Sequence, residues 1–284
     1  MQLPFTKMQG AGNDYLFVVD GARPSFSYPA AARALSPRHH AVGADGLVVL
    51  SPAADADFTM RMYNADGSEG AVCGNALRCA ARLWYERGNA ALTMRVACRA
   101  GIRHVRLHRS GSAVPTEATV DMGYVSVLAP AYVGPGGAAY ALLSVGNRHA
   151  VCLSPPADLS LPAVGAQFER LSFPSDGRKD ALSVGFNTEF VMPDEGGLAM
   201  RVYERGSGET LACGSGAVAA VYAAVLAGMG LFGRETAVRC PGGRLSVRIM
   251  PDGRAFLRGD AVRVFDGVAE LPREIFRVRG GMAE

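Results

Sequence analysis

Residues 60–88 read MRMYNADGSEGAVCGNALRCAARLWYERG, and residues 200–228 read MRVYERGSGETLACGSGAVAAVYAAVLAG. At a constant offset of 140 they share Met60/Met200, Arg61/Arg201, Tyr63/Tyr203, Glu69/Glu209, Cys73/Cys213, Gly74/Gly214, Ala80/Ala220 and Gly88/Gly228. That offset is close to half of the 284-residue chain. Each copy has a short run of β character (FTMRMY; LAMRVY), a polar Gly-rich loop, Cys-Gly, and an Ala-rich stretch that reads as a helix. Gly88 and Gly228 stand where glycine closes a helix. A weaker echo pairs GNDYLFVV (12–19) with GNRHAVCL (146–153), each a Gly-Asn turn opening a strand. Cys-Gly alone can recur by chance in an Ala- and Gly-rich chain. The shared Tyr-to-Cys spacing of ten and the matching Met-Arg-x-Tyr favour duplication instead.

Duplication predicts two similar domains facing each other across a cleft and related by a pseudo-two-fold axis. Cys73 and Cys213 would then approach a shared site from opposite sides. We place the domains at 1–128 and 129–284, with a tail from about 270 to 284 packing back onto the first.

The composition fits this size. Two domains suit a chain of 284 residues, and 49% hydrophobic with 19% charged residues is ordinary for a globular protein. The net charge of +3 is spread out, with no run of five like charges, so neither nucleic acid nor an anionic membrane surface is expected as a partner. All but Lys7 and Lys179 of the 29 basic residues are Arg, a skew that fits a GC-rich gene better than a chemical role. The opening MQLPFTKMQGAGNDY has no charged n-region or apolar h-region, which predicts a cytoplasmic protein with reduced thiols. The six cysteines (73, 79, 98, 152, 213 and 240) show no zinc-ligand spacing, so no metal is expected. Leu211 to Gly233 carries no charge, but its Ala and Gly content predicts a helix enclosed by protein rather than lipid.

Matching cysteines in two halves suit one reaction in particular. Inverting a carbon centre by proton transfer needs a base on one face and an acid on the other, roles that a thiolate and a thiol exchange after each turnover. A helix start favours a thiolate and, through exposed N–H groups, a carboxylate. Gly74-Asn75 and Gly214-Ser215-Gly216 would therefore cradle the α-carboxylate of a small amino-acid substrate, where charge develops as the α-proton leaves. A pyridoxal enzyme would use a lysine Schiff base, and neither Lys7 nor Lys179 has a suitable context.

The motifs KMQGAGNDY, GADGL (43–47), YNADGSEGAVCGN, VGNRHAV, GFNTEF, YERGSGETLACGSGA and CPGGRLSV run through nearly the whole chain. Through them the sequence resembles the diaminopimelate epimerases. The resemblance implies an α/β (α+β) protein of two pseudo-symmetric domains, each a barrel-like, mostly antiparallel sheet around a central helix, with the active site in the cleft between them. It implies an isomerase interconverting LL- and meso-diaminopimelate for lysine and peptidoglycan synthesis, without cofactor or metal, as a homodimer. Cys73 and Cys213 would transfer the protons. Asn13, Gly74, Asn75, Gly214 and Ser215 would surround the reacting end. Asn64, Asn147, Asn187 and Arg205 would hold the distal end, with Glu204 near the ammonium groups and His149 assisting one thiol.

Plainer roles stand beside these. Asn13 and Asn147 could shape turns, Glu204 and Arg205 could be a surface pair, His149 could be a core histidine, and Cys79, Cys98, Cys152 and Cys240 read as small buried residues. Three positions depart from the family pattern. Arg148 replaces a proline between Asn147 and His149 and could bring charge to the distal pocket. Gly46 stands where some members carry Gln, and Ala76 where Gly is usual. Two other readings stay open: a racemase of another amino acid such as histidine, motivated by Arg148, and a non-enzymatic thiol redox switch.

Overall fold

The computed structural model describes residues 2–272 and 275, apart from 21–25, 110, 112–113 and 176–177. The chain divides into two compact units, Met1–Ala118 with the segment from Ala261 onward, and Thr119–Asp260. The first contains β1 (Gln2–Gly10), β2 (Asn13–Val19), α1 (Tyr28–Leu35), β3 (Gly46–Ser51), β4 (Phe58–Asn64), β5 (Glu69–Gly70), α2 (Gly74–Glu86), β6 (Thr93–Cys98), β7 (Gly101–His108) and the start of β8 (Glu117–Tyr124). The second continues with β9 (Ser126–Val133), β10 (Ala139–Ser144), β11 (Arg148–Leu153), α3 (Leu161–Phe168), β12 (Ser172–Ser175), β13 (Arg178–Val184) and β14 (Asn187–Asp194). It ends with β15 (Gly197–Glu204), β16 (Gly208–Thr210), α4 (Gly214–Leu226), β17 (Glu235–Cys240), β18 (Gly243–Ile249) and β19 (Arg254–Asp260), after which β20 (Val262–Glu270) returns to the first unit.

Each unit repeats one pairing scheme. β2 and β3 are parallel and joined through α1, just as β11 and β14 are parallel and joined through α3. β3 and β4 match β14 and β15 as antiparallel pairs. The parallel pair β4 and β6, crossed over by α2, matches β15 and β17, crossed over by α4. Parallel neighbours require such crossovers, which places the two Cys-capped helices at the same topological point.

α2 and α4 start and end at the same repeat positions, one capped by Cys73 and the other by Cys213. Gly88 and Gly228 follow with φ of +103° and +74°, the left-handed conformation that closes a helix without a Cβ penalty. α4 is apolar on every side, and β10, β11, β14, β15, β17, β18 and β19 all pack against it. A helix without a polar face is stable only when so enclosed. At 13 residues it is the central element of its unit, and no helix among the described residues is long and apolar enough to cross a membrane. α2 packs against β1, β2, β6 and β7 in the same manner.

The repeat identities have local causes. Arg61 clamps Glu69 across the β4–β5 hairpin at 2.9 and 3.3 Å, and Arg201 clamps Glu209 across β15–β16 at 2.7 and 2.9 Å. Both hairpins lead directly into the cysteine loops. Met60 and Met200 are buried. Gly46 faces Asn64 in the β3–β4 register, and a Cβ there would stand 2.1 Å from the carbonyl oxygen of Tyr63. Gly46→Ala is expected to cost about 1–3 kcal/mol through forced backbone displacement, read as a lower midpoint of thermal unfolding. An unchanged midpoint would mean that β4 shifts freely.

The unit boundaries differ from positions 128 and 129. β20 pairs with β1 from Gln2↔Glu270 to Gln9↔Val262, so the segment from Ala261 belongs with the first unit. β8 pairs with β19, which draws Thr119–Tyr124 into the second. Leu271 is buried in the core of the first unit and Ile275 packs against it. Residues 273–274 and 276–284 of the expected tail lie outside the described residues.

Candidate active site

Each unit places a cysteine at the start of its central helix, with polar side chains around it. In the first, Cys73 holds the extended N-cap conformation and is half-buried. Its sulfur lies 3.5 Å from Asn13 Oδ1 and 3.8 Å from the Tyr15 hydroxyl. Asn75, on the first turn of α2, is buried and donates its Nδ2 to Asn13 Oδ1 at 3.5 Å. Asn13 and Tyr15 share one face of β2, as residues two apart on a strand must. Gly74 follows the cysteine as the first helical residue and is buried. Asn64 bonds Ser68 Oγ at 2.9 Å and shapes the turn between β4 and β5.

Charged groups stand behind Asn13. Asp45 accepts from Asn13 Nδ2 at 2.7 Å, from the Asp14 N–H at 3.0 Å and from Arg38 at 2.8 Å. Burial, joined by the charge of Asp14, pushes Asp45 up against the pull of these hydrogen bonds. Burial also opposes ionisation of Asp14, but hydrogen bonds from Arg38 and Lys7 outweigh it and hold Asp14 below the usual carboxylate range. Lys7 is committed to Asp14 at 3.0 Å and to the Gly43 carbonyl at 2.6 Å, a structural role. The side chain of Lys179 lies outside the described residues.

In the second unit Cys213 caps α4 and is buried. Its sulfur accepts from the Gly216 N–H at 3.4 Å and Asn187 Nδ2 at 3.9 Å, with Ser215 Oγ at 3.4 Å. Gly214 opens the helix beside it. Burial pushes the Cys213 thiol well above its ordinary value; the charges of Glu204 and Glu189 add to this, and Ser215 and the Gly216 N–H pull it back. Burial likewise raises Glu204, against hydrogen bonds with Thr210 and Cys213. Asn187 also accepts from the Arg205 N–H at 3.0 Å, which brings Arg205 to the same edge.

His149 is fully buried, with Nδ1 2.6 Å from Glu189 Oε1 and Nε2 3.0 Å from Asn147 Oδ1. Both ring nitrogens are therefore engaged within the second unit. Glu189 is also fully buried, and a Cβ on Gly216 would come within 2.7 Å of its Oε1. The carboxylate thus sits against the first turn of α4.

The Arg148 guanidinium donates to the carbonyls of Phe173 and Pro174 at 2.9 and 2.7 Å and lies over the Phe186 ring. Of the other cysteines, Cys79, Cys152 and Cys240 are buried, as expected, whereas Cys98 is half-buried and donates to the Gly101 carbonyl. Among the described residues no group of three or more His, Cys, Asp or Glu is placed to hold a metal ion.

A family model described as diaminopimelate epimerase matches residues 5–128 and 141–264, one match for each repeat. The chain belongs to the diaminopimelate epimerase family. It is 41% identical to the diaminopimelate epimerase of Parabacteroides distasonis, covering 94% of this chain and 98% of that one. It is 38% identical to the diaminopimelate epimerase of Phocaeicola vulgatus, covering 95% and 99%. A hydroxyproline epimerase from Agrobacterium vitis shares the fold with a TM-score of 0.73 at 13% identity, over 94% of this chain and 92% of that one. A methylitaconate-delta-isomerase shares it with a TM-score of 0.60 at 12% identity, over 95% of each. Four side chains around the two cysteines were not singled out from sequence: Tyr15, Asp45, Glu189 and Thr210. All four lie within quoted motifs, and Tyr15 and Glu189 each stand two positions after a chosen Asn, on the same strand face.

Proposed function

We propose that this chain interconverts LL- and meso-diaminopimelate by two-base proton transfer, with Cys73 and Cys213 serving one substrate from opposite faces of its α-carbon. A thiolate on one side removes the α-proton, and a thiol on the other delivers its own proton to the carbanion. The cysteines finish with their protonation states exchanged, so the next turnover runs in reverse. The N–H groups at the starts of α2 and α4, with Asn75, Gly74, Gly214 and Ser215, receive the α-carboxylate and the charge that develops on it. Arg205 pairs with the distal carboxylate, a geometry suited to a guanidinium. Asn64, Asn147 and Asn187 hold the distal end, and Glu204 faces an ammonium group. The same reading makes the protein a cytoplasmic, cofactor-independent homodimer supplying lysine and peptidoglycan precursors.

The observation that carries this reading is the pair of cysteines capping equivalent helices in the two repeats of a chain of this family. Arg148, which motivated a histidine racemase, directs its guanidinium to backbone carbonyls, so that alternative gains no support. The test is a panel of LL-diaminopimelate and L-histidine scored by α-hydrogen exchange. Exchange is expected with LL-diaminopimelate alone. Faster exchange with histidine would replace the substrate, and no exchange with either would revive a thiol switch.

A further inference from the structure

Asn13 has an amide whose two ends do opposite things: Nδ2 only donates and Oδ1 only accepts. Which end meets Cys73 decides whether the thiol or the thiolate is favoured there. The amide orientation is fixed by Asp45, from the GADGL stretch, to which no role in the reaction has been given. A carboxylate holding donors from Asn13, the Asp14 N–H and Arg38 has no hydrogen to give, so the atom of Asn13 facing it at 2.7 Å is Nδ2. A flipped amide would set oxygen against oxygen. Oδ1 is thereby turned toward Cys73 Sγ and Asn75 Nδ2, both at 3.5 Å. The frame is braced: the Asp45 N–H returns to the Asp14 carbonyl at 2.8 Å, and Arg38 bonds both carboxylates.

We infer that Asp45 is a positioning residue that sets the polarity of the first half-site by holding the Asn13 amide with its oxygen toward Cys73. An acceptor beside Cys73 favours its S–H form. The second half-site is built the other way, with the Gly216 N–H and Asn187 Nδ2 donating to Cys213. The two asparagines thus turn opposite amide ends to the sulfurs, Oδ1 of Asn13 to Cys73 and Nδ2 of Asn187 to Cys213, while the Tyr15 hydroxyl donates to Cys73 and Glu204 accepts from Cys213. The titratable groups around Cys73 in its unit include the Tyr15 hydroxyl at 3.8 Å and, behind Asn13, Asp45, Asp14, Arg38 and Lys7.

The inference rests on the proposed role of Cys73, but its test needs no substrate, so the two can fail separately. Alkylation of Cys73 by iodoacetamide in the full chain is followed against pH and resolved by peptide mass spectrometry. In Asp45→Asn the restraint on Asn13 is lost and its amino end can turn to the sulfur. The pH midpoint of alkylation should fall by about half to one unit, roughly three- to tenfold more thiolate at neutral pH. Removing the Asp45 charge acts in the same direction through space, so the measurement is repeated in an Asn13→Ala background. There Asp45→Asn should shift the midpoint by less than half as much. An equal shift in both backgrounds, or none in the parent, overturns the inference. Should Asp45→Asn fail to fold, Arg38→Gln gives a sign test, because Arg38 is half-exposed. Loss of a nearby cation alone raises the midpoint, whereas loosening Asp45 lowers it; a rise overturns the inference.

Discussion

Cys73→Ala and Cys213→Ala are each expected to reduce inversion of LL-diaminopimelate by at least about a thousandfold, within the range that a positioned acid or base contributes. Each change removes one of the two groups needed for a transfer across the α-carbon, and no neighbour can replace it. Tyr15 and Glu204 each stand a hydrogen-bond length beyond the sulfur rather than at its position. The folds should persist. Cys73 makes no side-chain cap to its helix, and the cap that Cys213 makes is a sulfur contact to the Gly216 N–H. Circular dichroism and thermal unfolding close to the parent would separate lost chemistry from lost structure. A variant retaining a tenth of the parent rate would remove that cysteine from the mechanism.

The second large effect is expected on stability. Glu189→Ala should destabilise the protein by about 3 kcal/mol, because it strands a fully buried histidine whose Nδ1 has lost its acceptor. For a unit of this size that corresponds to a fall of roughly 5–10 °C in the thermal midpoint. Glu189→Gln should fall by less, since its amide oxygen can still accept from Nδ1. Denaturant unfolding of both variants measures the difference. A loss below about 1 kcal/mol in Glu189→Ala would mean that His149 finds another partner or that water enters.

Much of this arrangement was legible because it is local. The spacing from Tyr63 to Cys73 and from Tyr203 to Cys213 specifies a hairpin followed by a helix start, and the closing glycines mark where those helices stop. The apolar stretch after Cys213 could belong only to a buried helix. What escaped depends on contacts distant in sequence. The alternating VRVFDGV of β20 reads like any edge strand, and only its pairing with β1, some 260 residues away, assigns it to the first unit. Asp45 and Glu189 were hidden for a similar reason. Their motifs were evident, but a carboxylate in a loop or strand does not disclose that it grips Asn13 or His149 until strands are set side by side. Proximity in sequence to Asn147 does not fix where the long Arg148 side chain goes; its guanidinium donates to the carbonyls of β12.

The central claim is that one cysteine takes the α-proton and the other delivers a different one. Early turnover of LL-diaminopimelate in D₂O, with substrate and product separated and their α-positions read by mass spectrometry, tests it most directly. Two-base transfer predicts meso product carrying deuterium at the inverted carbon while the remaining LL substrate stays protiated. Product that keeps the original protium, or substrate that gains deuterium as fast as product forms, would show a single group serving both faces and contradict it.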